Sequence, residues 1–282
     1  MAVARVMVLA GSDSGGGAGL QADLLTVAAL GGHACTVVTA LTAQDTQAVR
    51  GVWPVPTEFV AAQFQAVRDD IGLDAAKTGM LPSAAHVELA AVLLAPLAVP
   101  VVVDPVLRAS AGQSLMEPEA LEALKARLLP LASLVTPNLA EAEALTGLTV
   151  RGPAAMAQAA RALVEMGAKA ALVKGGHLEG QPMDVLFDGW REWRFSAPRL
   201  ACPHDHGTGC TLASAVATLL AQGWELTKAV ERARLLVRRA IAAGLPLGRG
   251  RGPVRPLADL ECRLAGGQAE ESPVGPPACP VT

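Results

Sequence analysis

PHDHGTGCTLASAVATLLAQG, residues 203–223, joins a glycine-punctuated turn to a helix. Leu212, Val216, Leu219 and Leu220 recur at helical spacing, so His206-Gly207-Thr208-Gly209-Cys210 stands at the helix start. The first N–H groups of a helix have no internal partner and lie at the positive end of its dipole. Glycine at 207 and 209 lets a ligand approach those N–H groups, which makes a pocket suited to phosphate. Cys210 falls in the first turn, where the same field favours thiolate. The plainer alternative is a shaped turn with Cys210 packed inside it. The rest of the chain decides between them.

Upstream and downstream, short apolar runs alternate with longer helix-periodic ones. Strand candidates are Val6–Leu9, Cys35–Leu41, Ala75–Lys77, Val101–Val103, Leu134–Thr136 and Ala170–Val173, with Val52–Val55 as an edge piece. Helices are expected near 20–30, 57–71, 83–94, 118–129, 140–145, 153–166 and 227–243. Val185–Phe187 and Trp193–Phe195 form an expected antiparallel pair turning at Asp188-Gly189. This alternation predicts an α/β fold of three layers, a doubly wound and mostly parallel sheet with helices on both faces. No linker interrupts residues 1–258 and the chain has no internal repeat; residues 1–264 are expected to be one domain. Residues 265–282, rich in Gly, Pro and acid, are expected to be a disordered tail.

Composition excludes several classes. A net charge of −3 with no Lys/Arg cluster argues against a nucleic-acid partner. No apolar run reaches the roughly 20 residues of a membrane span, and the start of the chain carries no secretory pattern. The 5 cysteines are scattered without a C-x-x-C, which suits reduced thiols in the cytoplasm and no zinc site. The chain has no tyrosine and a single asparagine, Asn138. A residue that survives such bias is a candidate for function, which draws attention to Asn138, Lys77 and Lys174.

In open α/β sheets ligands sit beyond the carboxyl ends of the strands. The loop after the first strand, Gly11 to Gly19, matches neither a Walker A loop nor a dinucleotide fingerprint, and Asp23 follows it in the next helix. After the second strand Gln44 offers an amide that both donates and accepts, suited to a heteroaromatic edge or simply to solvent. After Val101–Val103, Asp104 is either a cap before proline or a carboxylate near Mg²⁺. Asn138 and Glu141 are three apart at a helix start, which permits a phosphate and Mg²⁺ pair or a capping box. Lys174-Gly175-Gly176-His177 places a cation on a tight turn, with His177 beside it. An anion-binding helix end, carboxylates and a lysine gathered at strand ends describe phosphoryl transfer.

GSDSGGGAGLQADL, TALTAQDT, KTGML, VVVDPV, TPNLAEAE, VKGGH and HGTGCTLASA occur here in one order and spacing. In these the chain resembles the ribokinase-like superfamily, and within it the hydroxymethylpyrimidine/phosphomethylpyrimidine kinases of thiamine biosynthesis, over roughly residues 6–256. The resemblance implies a small-molecule pyrimidine substrate bound by Gln44, with Gly11, Asp23, Met80 and Val106 around it. It places Asn138, Lys174, His177 and Thr208 near ATP, Asp104 and Glu141 near Mg²⁺, and Gly207 and Gly209 at the transferring phosphoryl group. Cys210 stands where most of the superfamily carries an aspartate base.

The expected activity is phosphorylation of 4-amino-5-hydroxymethyl-2-methylpyrimidine and then of its monophosphate, with Cys210 as a thiolate base. A pyridoxine or pyridoxal kinase of the same branch is the near alternative. A hydrolase built on Cys210 with His206, or a binding module without an ATP site, would be a different class. A homodimer is the family expectation.

Overall fold

The structure is a computed structural model that describes residues 3–108, 112–113, 115–176, 178 and 180–266. Its centre is a 9-stranded sheet in the order β3-β2-β1-β4-β5-β6-β7-β8-β9. The strands are β1 (Arg5–Asp13), β2 (His33–Gln44), β3 (Val49–Pro54), β4 (Ala75–Thr78), β5 (Val101–Val103), β6 (Leu134–Val135), β7 (Ala171–Val173), β8 (Met183–Phe187) and β9 (Glu192–Ser196). The middle six pair in parallel. β3 runs antiparallel on one side, and the hairpin β8–β9 does so on the other.

The inner strands are buried on both faces, as a parallel sheet between helical layers requires. Along β1 the side chains alternate: Val6, Val8 and Ala10 enter one core, Met7 and Leu9 the other. The first core is covered by α1 (Gly19–Ala29), α7 (Thr208–Ala221) and α8 (Leu226–Ala242). The second is covered by α2 (Thr57–Asp70), α3 (Ala84–Leu94), α4 (Pro118–Ala123), α5 (Leu139–Thr146) and α6 (Pro153–Glu165). Phe64 of α2 is wholly buried there, a burial that stabilises by about 1.5–3 kcal/mol. This is the expected three-layer architecture.

Local departures have physical reasons. The helix expected over 118–129 keeps α geometry only to Ala123, continues as a π turn (Leu124–Leu128) and closes as a 3₁₀ turn (Leu129–Leu131). Pro130 has no N–H to continue the ladder. A ninth helix, α9 (Leu257–Leu264), was not foreseen; Asp259 draws it onto α8 through Arg232 and Arg239. The tail expected from 265 lies outside the described residues beyond 266.

The helix α7 begins at Thr208, four residues before the apolar periodicity does. Its whole middle is buried, Ala213, Ser214, Ala215 and Ala217 included. Those small side chains let the sheet, α1 and α8 all approach it. The site is therefore aimed by a helix clamped on every side.

Candidate active site

Strand order reverses at β1, with β2 on one side and β4 on the other. A crevice is expected beyond the carboxyl ends at such a point, and a cleft of about 780 Å³ occupies it. Gly11, Gln44, Met80, Asp104, Val106, Asn138, Glu141, Lys174, Gly207, Thr208, Gly209 and Cys210 all line it. His177 lies outside the described residues. Asp23 is absent from the lining, because its side chain is wholly buried beneath the cleft.

The helix end is built by close backbone approach. Gly207 caps α7 with φ +92°, and a Cβ there would overlap the carbonyl of Gly17. No L side chain fits that position comfortably. A Cβ on Gly209 would instead stand 3.3 Å from Lys174 Nζ and 3.7 Å from Asp104 Oδ2. Glycine thus keeps a gap open between the N–H groups of the helix and the lysine, a cradle shaped for an anion.

Across that gap Lys174 Nζ lies 3.0 Å from Asp104 Oδ1, which also accepts from Thr136 Oγ1 at 3.0 Å. Burial opposes the charge on Asp104, but Lys174 and Lys77 outweigh it and hold the carboxyl below its usual range. Asn138 and Glu141 form the capping box: Glu141 N donates to Asn138 Oδ1 at 3.0 Å, and Asn138 N donates to Glu141 Oε2 at 2.7 Å. Both residues still face the cleft. Burial lifts Glu141 to about 7, with Asp104 adding to the shift and Lys174 opposing it.

These carboxylates fit a hydrated Mg²⁺, which binds through one or two carboxylates together with substrate phosphates. Among the described residues no group of three or more His, Cys, Asp or Glu could cage a metal. An ion here would need phosphate oxygens to complete its shell.

Beneath the floor, Lys77 Nζ meets both oxygens of Asp23 at 3.0 Å, and Ser214 Oγ donates to Asp23 at 2.6 Å. Neither charged side chain is exposed. Burial opposes the charge on Lys77, but Asp23 outweighs it and keeps the ammonium protonated. Asp23 is thus a buried counter-ion under the site and not a wall of it. The reason is topological: α1 carries Asp23 inward, toward β4 and α7.

The folded surroundings of Cys210 work against the expected thiolate. Burial pushes the thiol up to about 12; Lys77 and the Gly19 N–H pull it down, while Asp23 and Asp104 push it further up. The field at the helix end is outweighed by burial and by two neighbouring carboxylates. The surroundings of Cys210 thus favour the thiol over the thiolate.

The sequence does not single out Asp13, and offers His206 only as the partner of Cys210 in a hydrolase. Asp13 accepts from Gly15 N at 2.8 Å, Gly17 N at 3.0 Å and Ala18 N at 2.8 Å. It thereby folds the glycine loop around its own carboxylate. His206 Nε2 stands 3.1 Å from Asp13 Oδ2 and 3.1 Å from the Gln44 amide. The signal for Asp13 was present, since a carboxylate opening a run of glycines has backbone N–H groups to gather. Asp205, which had no sequence-level role, pairs with Arg251 on the cleft rim.

Comparison with known proteins agrees with this geometry. The family model described as phosphomethylpyrimidine kinase matches residues 13–255. A hydroxymethylpyrimidine/phosphomethylpyrimidine kinase of Streptomyces coelicolor is 52% identical over 249 residues, covering 88% of this chain and 93% of its own. The pyridoxal kinase of Bacillus subtilis, solved as an ADP complex, superposes with a TM-score of 0.86 at 35% identity over 91% of this chain and 98% of its own. A phosphomethylpyrimidine kinase of Clostridium difficile gives 0.76 at 36% identity, over 84% and 99%. This chain, with its ribokinase-like sheet and its anion cradle at the head of α7, belongs to the phosphomethylpyrimidine kinase family.

Proposed function

We propose that the chain phosphorylates 4-amino-5-hydroxymethyl-2-methylpyrimidine, and then its monophosphate, at the expense of ATP. The observation that carries this reading is the gap between the α7 N-terminus and Lys174, kept open by Gly209 in the same cleft that Gln44 and Met80 line. Positioning and electrostatics do nearly all the work of phosphoryl transfer, and this gap supplies both. Mg²⁺, held through Glu141 and Asp104, would neutralise charge on the phosphates.

In this reading Gln44 reads the pyrimidine edge, with Gly11, Met80 and Val106 around the ring. Asn138, Lys174 and Thr208 hold the nucleotide phosphates, and the N–H groups from Gly207 to Cys210 receive the transferring charge. Cys210 is the base. It starts as a thiol, so its thiolate is a scarce but strong proton acceptor, used as the bond to phosphorus forms. We take residues 1–264 as one kinase unit, acting as a cytoplasmic homodimer. No helix among the described residues is long and apolar enough to cross a membrane.

A second reading, phosphorylation of a pyridoxal-type ring, is favoured by the likeness to the Bacillus subtilis enzyme. Incubation with Mg-ATP and each ring, with product mass measured, separates the two. A mass gain on the pyrimidine, once for the alcohol and again for the monophosphate, is the expected result. Turnover of pyridoxal alone would overturn the proposal.

A further inference from the structure

His206 precedes the helix cap, outside the groups proposed to touch phosphate, and its ring is buried between Asp13 and Gln44. Asp13 is held below the usual carboxylate range: burial works against ionisation, but His206 and the N–H groups of Gly15 and Ala18 outweigh it. An ionised carboxylate only accepts hydrogen bonds. His206 Nε2, 3.1 Å from Asp13 Oδ2, must therefore carry its proton on that nitrogen.

The consequence falls on Gln44, whose amide stands with Nε2 3.1 Å from His206 Nε2, an assignment that rests on shape alone and not on the chemistry of its neighbours. Amide nitrogen in that place would set one donor against another. Amide oxygen there would accept the same Nε2–H. At the other end Oε1 lies 3.4 Å from Thr42 Oγ1, whose one hydrogen goes to Ser12 O at 2.9 Å. Thr42 can then only accept from Gln44, so that end must be the nitrogen. Two independent contacts select the same orientation of a group whose ends have nearly identical shape.

We propose that His206 is a positioning residue that locks the Gln44 amide, oxygen toward imidazole and nitrogen toward Thr42, and so restricts the site to rings bearing an acceptor nitrogen beside a donor amine. The inference rests on Gln44 reading the ring edge, as proposed above. The 4-amino ring offers an acceptor nitrogen next to an exocyclic donor, which matches the locked amide. The corresponding 4-oxo ring presents the reverse, an N–H beside a carbonyl. An amide free to turn could serve either ring, whereas a locked one serves only the first. Asp13 supplies the constraint because its backbone N–H partners keep it ionised and fixed.

Two measurements test the lock. In ¹⁵N-histidine-labelled protein at pH 8, long-range ¹H–¹⁵N spectra should show His206 protonated at Nε2; an unprotonated Nε2 overturns the proposal without reference to activity. In kinetics, wild type should favour the 4-amino over the 4-oxo ring by about ten-fold or more in kcat/KM, the value of one mismatched hydrogen bond. His206→Phe keeps a planar ring without the N–H and leaves only the long 3.4 Å Thr42 contact to orient the amide, so that ratio should fall by about three-fold or more, while KM for ATP stays unchanged. A ratio in the variant within about two-fold of wild type overturns the lock. Should His206→Phe not fold, His206→Gln, which keeps a donor within reach of Asp13, should retain the preference, and loss of it counts against the lock. If wild type phosphorylates neither ring, the proposed function fails, and the tautomer still decides the orientation.

Discussion

Lys77 reaches both carboxylate oxygens of Asp23 at 3.0 Å, and neither side chain has any exposure to water. Replacing one partner strands the other charge in the interior, which costs about 3–5 kcal/mol, whereas replacing both with apolar groups is often close to neutral. Lys77→Met should therefore lower the melting temperature sharply. The double variant Lys77→Met with Asp23→Leu should recover most of that loss while remaining poorly active, because Lys77 also pulls the Cys210 thiol down. Thermal melts of the three proteins check this; a double variant no more stable than the single would refute it.

Glu141 is raised to about 7. A carboxyl that binds its proton more tightly in the folded chain favours folding at low pH. Its stabilising effect fades as pH climbs from the unfolded value through about 7. Glu141→Gln removes that titration, so the apo variant should melt higher than wild type at pH 8 and show no such gain at pH 5. The same variant should raise KM for Mg-ATP by roughly ten-fold, as expected from losing one charged partner. Melting curves at the two pH values, with nucleotide titrations, supply the check.

Because its surroundings push the Cys210 thiol up to about 12, its thiolate fraction should grow about ten-fold per pH unit across the neutral range. The logarithm of kcat should rise with unit slope from pH 7 to 9 and show no plateau near the free-cysteine value. Cys210→Ser should cut kcat by roughly 10²–10⁴-fold with substrate KM nearly unchanged. Cys210→Asp, ionised throughout this range, should flatten the profile. A flat wild-type profile would remove Cys210 as the base.

Gln44→Ala should weaken binding of the pyrimidine by about 1–3 kcal/mol through an unpaired ring edge, with little effect on ATP. Calorimetry with each ligand measures the split. An unchanged pyrimidine affinity would make Gln44 a bystander.

Gly207→Ala tests the close approach at the helix cap. At φ +92° a Cβ overlaps the Gly17 carbonyl, so the glycine loop and the α7 N-terminus must separate. Turnover should fall through geometry, and the pH profile should keep its slope. An active Gly207→Ala with wild-type kcat would show that the two segments need not touch.

Much of this protein was legible before folding. The alternation of β-branched runs with helical periodicity determined the layered sheet, since strands buried on both faces leave no polar alternation. Strand-end placement determined which loops to search, and the residues at 44, 104, 138, 141, 174 and 207–210 do meet in one cleft. Three things were decided only by tertiary packing. Asp23 reads as a helix-start carboxylate, yet α1 turns it inward onto Lys77, a partner 54 positions away. Cys210 reads as a helix-end thiolate, yet burial and the carboxylates of Asp23 and Asp104 outweigh the dipole. His206 reads as a loop residue, yet it meets Asp13 from a position 193 residues away and turns the Gln44 amide. Periodicity and turn chemistry are local, so the chain itself carries them. The charge state of a buried group depends on neighbours brought together across the chain, and those exist only in the folded molecule.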